Sequence, residues 1–321
     1  MKNERQLKDL IDSAILEATD SVPIAKRKIN KGEISNDYDV ELSNGQHIIA
    51  KTLFDSKPSY ESERWCFDKL KNMDNVPVPR ILLVRHIRID SQIFSICIQE
   101  KKEGESIRES KYFRSLGNKS KKHIISQAGR ILSQIHTIRM DRFGYIDGNG
   151  AAAFESFFDM IDSYLGGDIF VDTTREMGVQ KHSIQNIADS MQYILTKAKN
   201  KELFPVLSHN DYTLDHIIIN NNGKITAIID WGEAQGNLPL NDFAKWDFWC
   251  SQLAPTEWLR EGYANIMINE DSYRDTLHVM RCLIGIRAYA WYSNGRVRLS
   301  ILKKIQFELD KDFRYLEGIR T

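Results

Sequence analysis

The spacing of the apolar residues changes close to residue 100, and this change limits the chain to folds that combine a sheet with a larger set of helices. Before that point the β-rich signal dominates, in runs at residues 23–29, 36–42, 46–54, 80–89 and 93–100. The pair Asn44-Gly45, between the second and third runs, is one that a type I′ hairpin turn prefers. The sequence therefore predicts a mainly antiparallel sheet in the first part of the chain.

Helical spacing accompanies this sheet and then replaces it. We predict helices over residues 4–20 and 59–71, and the second should end before Val76-Pro-Val-Pro79 because proline disfavours helix at the preceding residue. From about residue 105 onward the apolar residues follow a helical period, most clearly over residues 119–137. The second part of the chain is therefore expected to be mainly helical.

These two regions predict two domains, residues 1–100 and residues 101–321. The charged stretch from Gln99 to Gly104 is the natural linker between them. A cleft between two domains is the usual place for a ligand, so we expect the functional site there.

One β-rich excursion interrupts the helical region. Two apolar runs, Ile217–Asn220 and Ile225–Ile229, flank a turn at Asn222-Gly223 and predict a hairpin. Polar residues that can carry chemistry lie at its two ends: His209, Asp211, His216 and Asp230. A hairpin returns the chain close to its start, so the two aspartates are expected to converge on one site. Paired acids suit phosphoryl transfer, in which one orients the attacking hydroxyl and the other holds Mg²⁺.

Three segments around this hairpin resemble the Brenner-motif region of the aminoglycoside and macrolide phosphotransferase family. They are His209-Asn-Asp211-x-x-x-x-His216, Ile228-Ile-Asp230-Trp-Gly-Glu-Ala234 and Asn241-Asp242-Phe-Ala244. In the first region, Ile48-Ile-Ala-Lys51 resembles the family's nucleotide-binding strand, and Glu63 resembles the helix partner of its lysine. The resemblance implies an α+β, bilobal, protein-kinase-like fold: an N-terminal antiparallel sheet lobe, a larger helical C-terminal lobe and a nucleotide between them.

The resemblance also implies roles for single residues. Asp211 would be the catalytic base that orients the substrate hydroxyl, and Asp230 would bind Mg²⁺ between the β- and γ-phosphates. Lys51 would contact the α- and β-phosphates, held by an ion pair with Glu63. Asp242 would brace the catalytic loop by accepting backbone hydrogen bonds. For Lys51 and Glu63 the alternative is an exposed ion pair of little consequence.

His216 departs from the commonest family pattern, in which an asparagine binds the second metal ion. An imidazole can still ligate Mg²⁺ or hydrogen-bond a phosphate, although it is a softer donor than magnesium prefers. Histidine here resembles the macrolide and 2″-aminoglycoside branches, whose members often favour GTP, so ATP and GTP both stay open as donors. A packed, hydrogen-bonded histidine is the alternative. The segment 30–36 contains one glycine, Gly32, so a glycine-rich phosphate loop is not evident.

The charge of the chain limits the kinds of molecule that it is expected to bind, and its cysteine content indicates the compartment. The 44 basic and 44 acidic residues cancel, which disfavours a general nucleic-acid binder. The stretch from Asp141 to Met177 nevertheless holds eight acids against two arginines. This stretch is either a solvated face or a region that attracts a cationic substrate. The four cysteines form no C-x-x-C pair, and no run of 18 apolar residues occurs, so we expect a cytoplasmic protein that does not span a membrane.

Two other patterns have simpler explanations. Gly148-Asn-Gly-Ala-Ala-Ala153 fits a loose dinucleotide-binding fingerprint, but the residues before it are too polar for a buried parallel strand. His209, Asp211 and His216 could suggest a zinc hydrolase, but no second cluster of ligands supports one.

The resemblance and the residues together predict a phosphotransferase with an alcohol group as acceptor. It would move the γ-phosphate of ATP or GTP, with Mg²⁺, to a hydroxyl of a small cationic molecule, and an aminoglycoside- or macrolide-type antibiotic is the leading acceptor. A metabolic kinase of the same fold, acting on choline, homoserine or a sugar, is one alternative. A catalytically impaired nucleotide-binding pseudokinase is another. A protein kinase is disfavoured because the chain has no H-R-D, D-F-G or A-P-E set.

Overall fold

The computed structural model describes residues 2–29, 35–55, 60–89, 92–165, 168–199, 204–264, 270–293 and 298–319. The chain forms two compact units. The first unit contains residues 1–114, 147–150 and 215–232, and the second contains residues 115–146, 151–214 and 233–321. The segment 30–34, on which the expectation about a phosphate loop rests, lies outside the described residues. The two-domain division at residue 100 stays a prediction.

The first unit is built on an antiparallel sheet with the strand order β1-β2-β3-β5-β4. Its strands are β1 (Pro23–Ile29), β2 (Asn36–Leu42), β3 (His47–Asp55), β4 (Ile81–Ile89) and β5 (Gln92–Glu100). Gly45 has a φ of 80° in the turn between β2 and β3, which agrees with the predicted Asn-Gly hairpin. The sequence therefore predicted the antiparallel sheet correctly.

Two helices accompany the sheet. Helix α1 (Lys2–Thr19) packs its apolar face on the sheet, where Ile11 and Ile15 join Val40 and Phe94 in one buried core. Helix α2 (Glu61–Leu70) begins after Tyr60, whose φ of 74° is in the left-handed region. The helix buries a stripe of side chains that consists of Glu63, Cys66, Phe67 and Leu70. A charged residue in this stripe requires a partner, and that partner belongs to the candidate site.

A second, three-stranded sheet completes the first unit. The strands β6 (Glu105–Ser106), β9 (Ile217–Ile219) and β10 (Ile225–Ile228) pair in the order β10-β9-β6. Gly104, with a φ of 117°, lies so close to the carbonyl of Ile219 that a Cβ there would overlap it. The backbone N–H of Ile228 also donates to the carbonyl of Pro77 (2.8 Å). The hairpin predicted at Asn222-Gly223 is therefore part of the first unit.

The second unit is mainly helical. Its described helices after α3 (Lys111–Ser115) are α4 (Asn118–Ile135), α5 (Phe157–Leu165), α6 (Asp168–Glu176), α7 (Lys181–Lys199), α8 (Leu240–Cys250), α9 (Thr256–Gly262), α10 (Glu270–Ser293) and α11 (Leu299–Glu317). Three short antiparallel strands, β7 (Gly144–Tyr145), β11 (Gln235–Asn237) and β8 (Val206–Ser208), pair in that order. The predicted α+β class, a sheet followed by helices, is confirmed.

Several narrower expectations can be compared with these elements. The strand before Gly148 is the two-residue β7, which is antiparallel, so the dinucleotide-binding fingerprint has no parallel strand to precede it. All four cysteines are buried and unpaired. Within the described ranges, no helix is long and apolar enough to cross a membrane.

Candidate active site

The candidate site in the first unit begins with a buried ion pair. Lys51 lies on β3, a central strand, and Glu63 on α2. The Nζ atom of Lys51 donates to both carboxylate oxygens of Glu63, at 3.0 and 3.2 Å. Both side chains are almost fully buried, so this is not the exposed pair that the alternative reading required. A buried pair of this kind fixes the helix and the strand to each other, because either charge alone would be costly.

Asp230 joins this pair from the end of the hairpin. Its Oδ1 lies 3.7 Å from Nζ of Lys51, and the backbone N–H of the next residue, Trp231, donates to Oε1 of Glu63 (3.3 Å). Asp230 has a φ of 66°, in the left-handed region that non-glycine residues rarely adopt. Its carboxylate is 53% exposed, so it can accept a ligand from solvent. Lys51, Glu63 and Asp230 are thus brought together from three separate parts of the sequence.

The surroundings of Lys51 keep it charged. Burial by itself lowers the pKa of this lysine, but the facing carboxylates of Glu63, Asp230 and Asp37 outweigh burial and hold its pKa well above the usual value. Asp37 lies opposite Lys51 in the register of β2 and β3, and burial raises its pKa although Lys51 opposes this. Sequence reasoning missed Asp37, because only the strand register places it beside the lysine.

His216 contacts the same aspartate. Its Nε2 lies 3.4 Å from Oδ2 of Asp230, and its backbone carbonyl accepts a hydrogen bond from Ile229 (3.0 Å). The described residues contain no group of three or more His, Cys, Asp or Glu side chains arranged to hold a metal ion. Magnesium rarely needs such a cage, because it keeps several waters and takes one or two carboxylates together with substrate phosphates. The exposed carboxylate of Asp230 beside His216 therefore fits a magnesium ion that arrives with a nucleotide.

The second unit holds the predicted catalytic loop, which follows β8. The backbone N–H groups of His209 and Asn210 donate to the two carboxylate oxygens of Asp242 (3.1 and 2.8 Å). Asp242 is fully buried and also contacts Nε2 of His136 (2.9 Å). Asn210 has a φ of 61°, so the loop turns sharply just before Asp211. The backbone hydrogen bonds expected at Asp242 are present, and His209 is buried, with its Nδ1 accepting a hydrogen bond from the N–H of Asp211 (3.3 Å).

Asp211 itself has a partner that the sequence reasoning did not name. Its Oδ1 lies 3.2 Å from Nζ of Lys245, and its carboxylate is 29% exposed. Lys245 stands three residues after Asp242 on α8, so it projects from about the same face of that helix. Lys245 could have been predicted from this three-residue spacing. The convergence of Asp211 and Asp230 on one cation stays a prediction.

A second polar cluster in the same unit was also missed. The hydroxyl of Tyr145 donates to Glu233 (2.9 Å) and accepts a hydrogen bond from Arg287 (2.7 Å). The Arg287 guanidinium lies 4.7 Å from the centre of the Tyr164 ring. Burial, reinforced by the Glu233 carboxylate, raises the pKa of Tyr145 to about 12, so the hydroxyl stays protonated near neutral pH. Glu233 lies in the segment from Ile228 to Ala234 that carries the family resemblance, but no motif links it to Tyr145, Tyr164 and Arg287, which come from β7, α5 and α10.

The acidic stretch is exposed where its side chains are described. Asp141, Asp147, Glu155, Asp159, Asp162, Asp172 and Glu176 are all exposed. Arg142 pairs with Glu155, and Arg175 pairs with Asp172, each at 3.0 Å. Its two arginines thus neutralise two of these acids, and the negative charge of the rest faces solvent. This arrangement is compatible both with a solvated face and with attraction of a cation.

Comparison with known proteins relates this geometry to a family. A model of the phosphotransferase enzyme family matches residues 27–274. No curated protein sequence matches the chain. Among solved structures, a thermostable variant of the aminoglycoside phosphotransferase APH(4)-Ia, in complex with AMP-PNP and hygromycin B, has a TM-score of 0.72 at 19% identity, over 97% of this chain and 99% of that one.

Two further structures are similar at lower identity. ADP-bound aminoglycoside phosphotransferase APH(2″)-Ib has a TM-score of 0.59 at 17% identity, over 96% of this chain and 98% of that one. The GDP complex of a variant aminoglycoside 2′-phosphotransferase-IIIa has a TM-score of 0.68 at 15% identity, over 95% and 97%. At these identities the likeness concerns the fold, and it confirms the protein-kinase-like fold that the motifs implied.

Proposed function

Because the chain belongs to the phosphotransferase enzyme family, we propose that it transfers the γ-phosphate of ATP or GTP to a hydroxyl of a small cationic molecule of the aminoglycoside or macrolide type. The observation that carries the proposal is the joint contact of Lys51, Glu63 and Asp230. Phosphoryl transfer depends mainly on positioning and on stabilisation of phosphate charge, and a buried cation beside an exposed carboxylate supplies groups for both.

Each group then has a task. Lys51 binds the α- and β-phosphates, and Glu63 keeps its ammonium group in place. Asp230 and His216 would hold Mg²⁺, and the ion would offset negative charge on the phosphates. Asp211 orients the acceptor hydroxyl and takes up its proton as the oxygen attacks the γ-phosphorus; the bond from that phosphorus to the bridging oxygen breaks, and the nucleoside diphosphate leaves. Lys245 positions the Asp211 carboxylate.

The nature of the acceptor is supported by charge and by the structural neighbours. The exposed acids between Asp141 and Glu176 would raise the local concentration of a cation. One neighbour binds hygromycin B, and the neighbours carry AMP-PNP, ADP or GDP. We therefore place an aminoglycoside-type cation first among acceptors and keep both nucleotides as donors.

The test is a transfer assay with two variants. Asp211→Ala should abolish phosphate transfer, with a loss of about 10³-fold or more, while Mg²⁺–AMP-PNP still binds. Asp230→Ala should instead weaken Mg²⁺–AMP-PNP binding, by about 10-fold to 100-fold. Asp310→Ala, which changes an exposed aspartate of α11, is the matched control and should behave like the natural chain.

Acceptors should be screened as aminoglycosides, macrolides, choline, homoserine and sugars, each with ATP and with GTP. Transfer to a metabolite alone would replace the antibiotic acceptor with a metabolic one. Nucleotide binding that is unaffected by Mg²⁺, together with no transfer and no hydrolysis, would identify a pseudokinase. Normal turnover in Asp211→Ala would remove that residue from the mechanism.

A further inference from the structure

Helix α2 presents opposite faces to two different surroundings. Successive residues of an α-helix are about 100° apart, so Glu63 points away from Glu61 and Trp65, which share the other face. Glu63 is completely buried against Lys51, whereas Glu61 and Trp65 are half-buried. Contacts on the outer face of α2, which carries Glu61 and Trp65, therefore also fix the position of Glu63.

A short loop, residues 147–150, holds that outer face. The loop is closed by two hydrogen bonds: the N–H of Asn149 donates to Oδ1 of Asp147 (2.8 Å), and the N–H of Gly150 donates to the carbonyl of Asp147 (3.0 Å). This loop belongs to the first unit, although residues 146 and 151 on either side of it belong to the second.

The loop approaches α2 through two glycines. A Cβ on Gly148 would lie 2.6 Å from Cβ of Glu61, closer than such atoms come in practice. A Cβ on Gly150 would overlap the indole ring of Trp65. Gly150 also has a φ of 79°, which disfavours any side chain. The contact is thus made of glycine backbone against Glu61 and Trp65, and only glycine permits it.

The sheet holds the same face of the helix. The carboxylate of Glu61 contacts Nε2 of His86 on β4, and Nδ1 of His86 lies 2.9 Å from the hydroxyl of Ser95 on β5. Glu61 is therefore fixed by the sheet on one side and by Gly148 on the other. Trp65, one helical turn further on, depends on Gly150 for its contact with the loop.

We propose that Gly150 and Trp65 are positioning residues of the phosphate-donor site, which act by keeping Glu63 against Lys51. This inference rests on the proposed function, since it assumes that Lys51 binds a nucleotide. A Trp65 ring displaced by a side chain at residue 150 shifts α2 and lengthens the 3.0 Å contact between Lys51 and Glu63. Trp65 also lines a cavity of about 530 Å³ together with Glu61 and Gly148, so the loop and the outer face of α2 border one open space.

The experiment measures the Kd of Mg²⁺–AMP-PNP, and of Mg²⁺–GMP-PNP in parallel, by calorimetry on the full chain. Gly150→Ala should weaken binding by about tenfold, as expected when one charged hydrogen bond is loosened. In a chain that already carries Trp65→Ala, the same change should alter the Kd by less than about twofold, because the ring that it displaces is gone. Gly45→Ala is the control, since Gly45 lies in the same unit with a φ of 80°, close to the 79° of Gly150, and has nothing within 4 Å of its Cβ position.

The outcomes are distinguishable. An unchanged Kd in Gly150→Ala, or an equal loss with and without Trp65, would overturn the positioning role. Glu63→Gln serves as the reference for the proposed function itself: it should weaken nucleotide binding directly, because it removes the charge that faces Lys51. Wild-type binding in Glu63→Gln would overturn the proposed donor site, whatever Gly150→Ala does.

Discussion

Single residues in the first unit show how a buried carboxylate is kept ionised. Asp39 on β2 is nearly buried and contacts three basic side chains: Arg27 and Lys101, each at 2.9 Å, and His47 at 3.0 Å. Burial alone raises the pKa of Asp39, but the contacts with Lys101, His47 and Arg27 outweigh it, and the pKa is lowered from its ordinary value of 3.8. The ionised form is therefore favoured in the folded protein.

This pKa shift predicts a pH-dependent stability. Asp39→Asn should lower the free energy of unfolding at neutral pH by about 1 kcal/mol, a modest figure because the basic partners are partly exposed. Since the folded pKa is below 3.8, the contribution is present above that pH and is lost as the pH falls through the folded pKa. Urea unfolding at pH 7 and at about pH 3 should show the difference between the two chains shrinking. A difference that grows towards low pH would contradict this account.

Some of the candidate site residues could be predicted from the sequence, and others could not. The family resemblance named Lys51, Glu63 and Asp230 from the sequence, and the structure shows these three side chains in contact. Asp37 and Lys245 could not be placed in this way. Asp37 stands beside Lys51 because of the β2–β3 register, and Lys245 meets Asp211 because Asp242 anchors the catalytic loop to α8. The positions of Asp37 and Lys245 depend on contacts between segments that are distant in sequence, and local sequence patterns do not predict such contacts.

At the scale of elements, one arginine joins three helices of the second unit. Arg281 on α10 is buried and donates to Asp312 (2.8 Å) and Glu308 (2.9 Å) of α11. Its third contact is with Asp247 of α8. Asp242, which accepts backbone hydrogen bonds from residues 209–210, lies in the first turn of α8, so this network links the C-terminal helices to that loop through α8.

Removal of this arginine is predicted to be costly. Arg281→Met should lower the free energy of unfolding by about 3–5 kcal/mol, because buried carboxylates lose their counter-charge. Arg314→Met, which changes an exposed arginine of α11, should cost less than about 0.5 kcal/mol. Urea unfolding of both variants tests the comparison. Equal stability of the two would mean that the network contributes little.

The elements themselves were largely predictable where they are long. The strands predicted at residues 23–29 and 36–42 agree with β1 and β2, and the helix predicted over 119–137 agrees closely with α4 (Asn118–Ile135). The short strands β6, β7, β8 and β11 have two or three residues each, too few for any periodicity to show. Their positions are set by the partner strand, so only the folded chain reveals them.

At the scale of the whole molecule, the first unit is not a continuous piece of the sequence. Residues 1–114 supply the main sheet and β6, but β9, β10 and Asp230 come from residues 215–232. The boundary predicted near residue 100 follows from the change in apolar spacing, which cannot show that a hairpin more than a hundred residues later returns to pair with β6. Topology of this kind depends on contacts that are distant in sequence.

Because the first unit is assembled from separate parts of the sequence, a fragment that lacks one part should bind nucleotide poorly. Residues 1–114 expressed alone should bind Mg²⁺–AMP-PNP at least about 100-fold more weakly than the full chain, because they lack Asp230 and strands β9 and β10 of the second sheet. Calorimetry on both chains measures the difference. A circularly permuted chain that keeps residues 215–232 attached to residues 1–114 should recover part of the affinity. Full affinity in residues 1–114 alone would show that the hairpin is dispensable.

The division of the first unit between two parts of the sequence also delays its completion during synthesis. At roughly 5–20 residues per second, a ribosome needs about 6–24 s to add the 118 residues from Ser115 to Gly232. Until Ile219 has been added, β6 has no neighbouring strand and the carbonyl that Gly104 lies against is missing. Until Trp231 has been added, Glu63 lacks that residue's amide. The first unit therefore cannot complete its second sheet or the contacts of Glu63 until about twice as many residues have been made as its first 114.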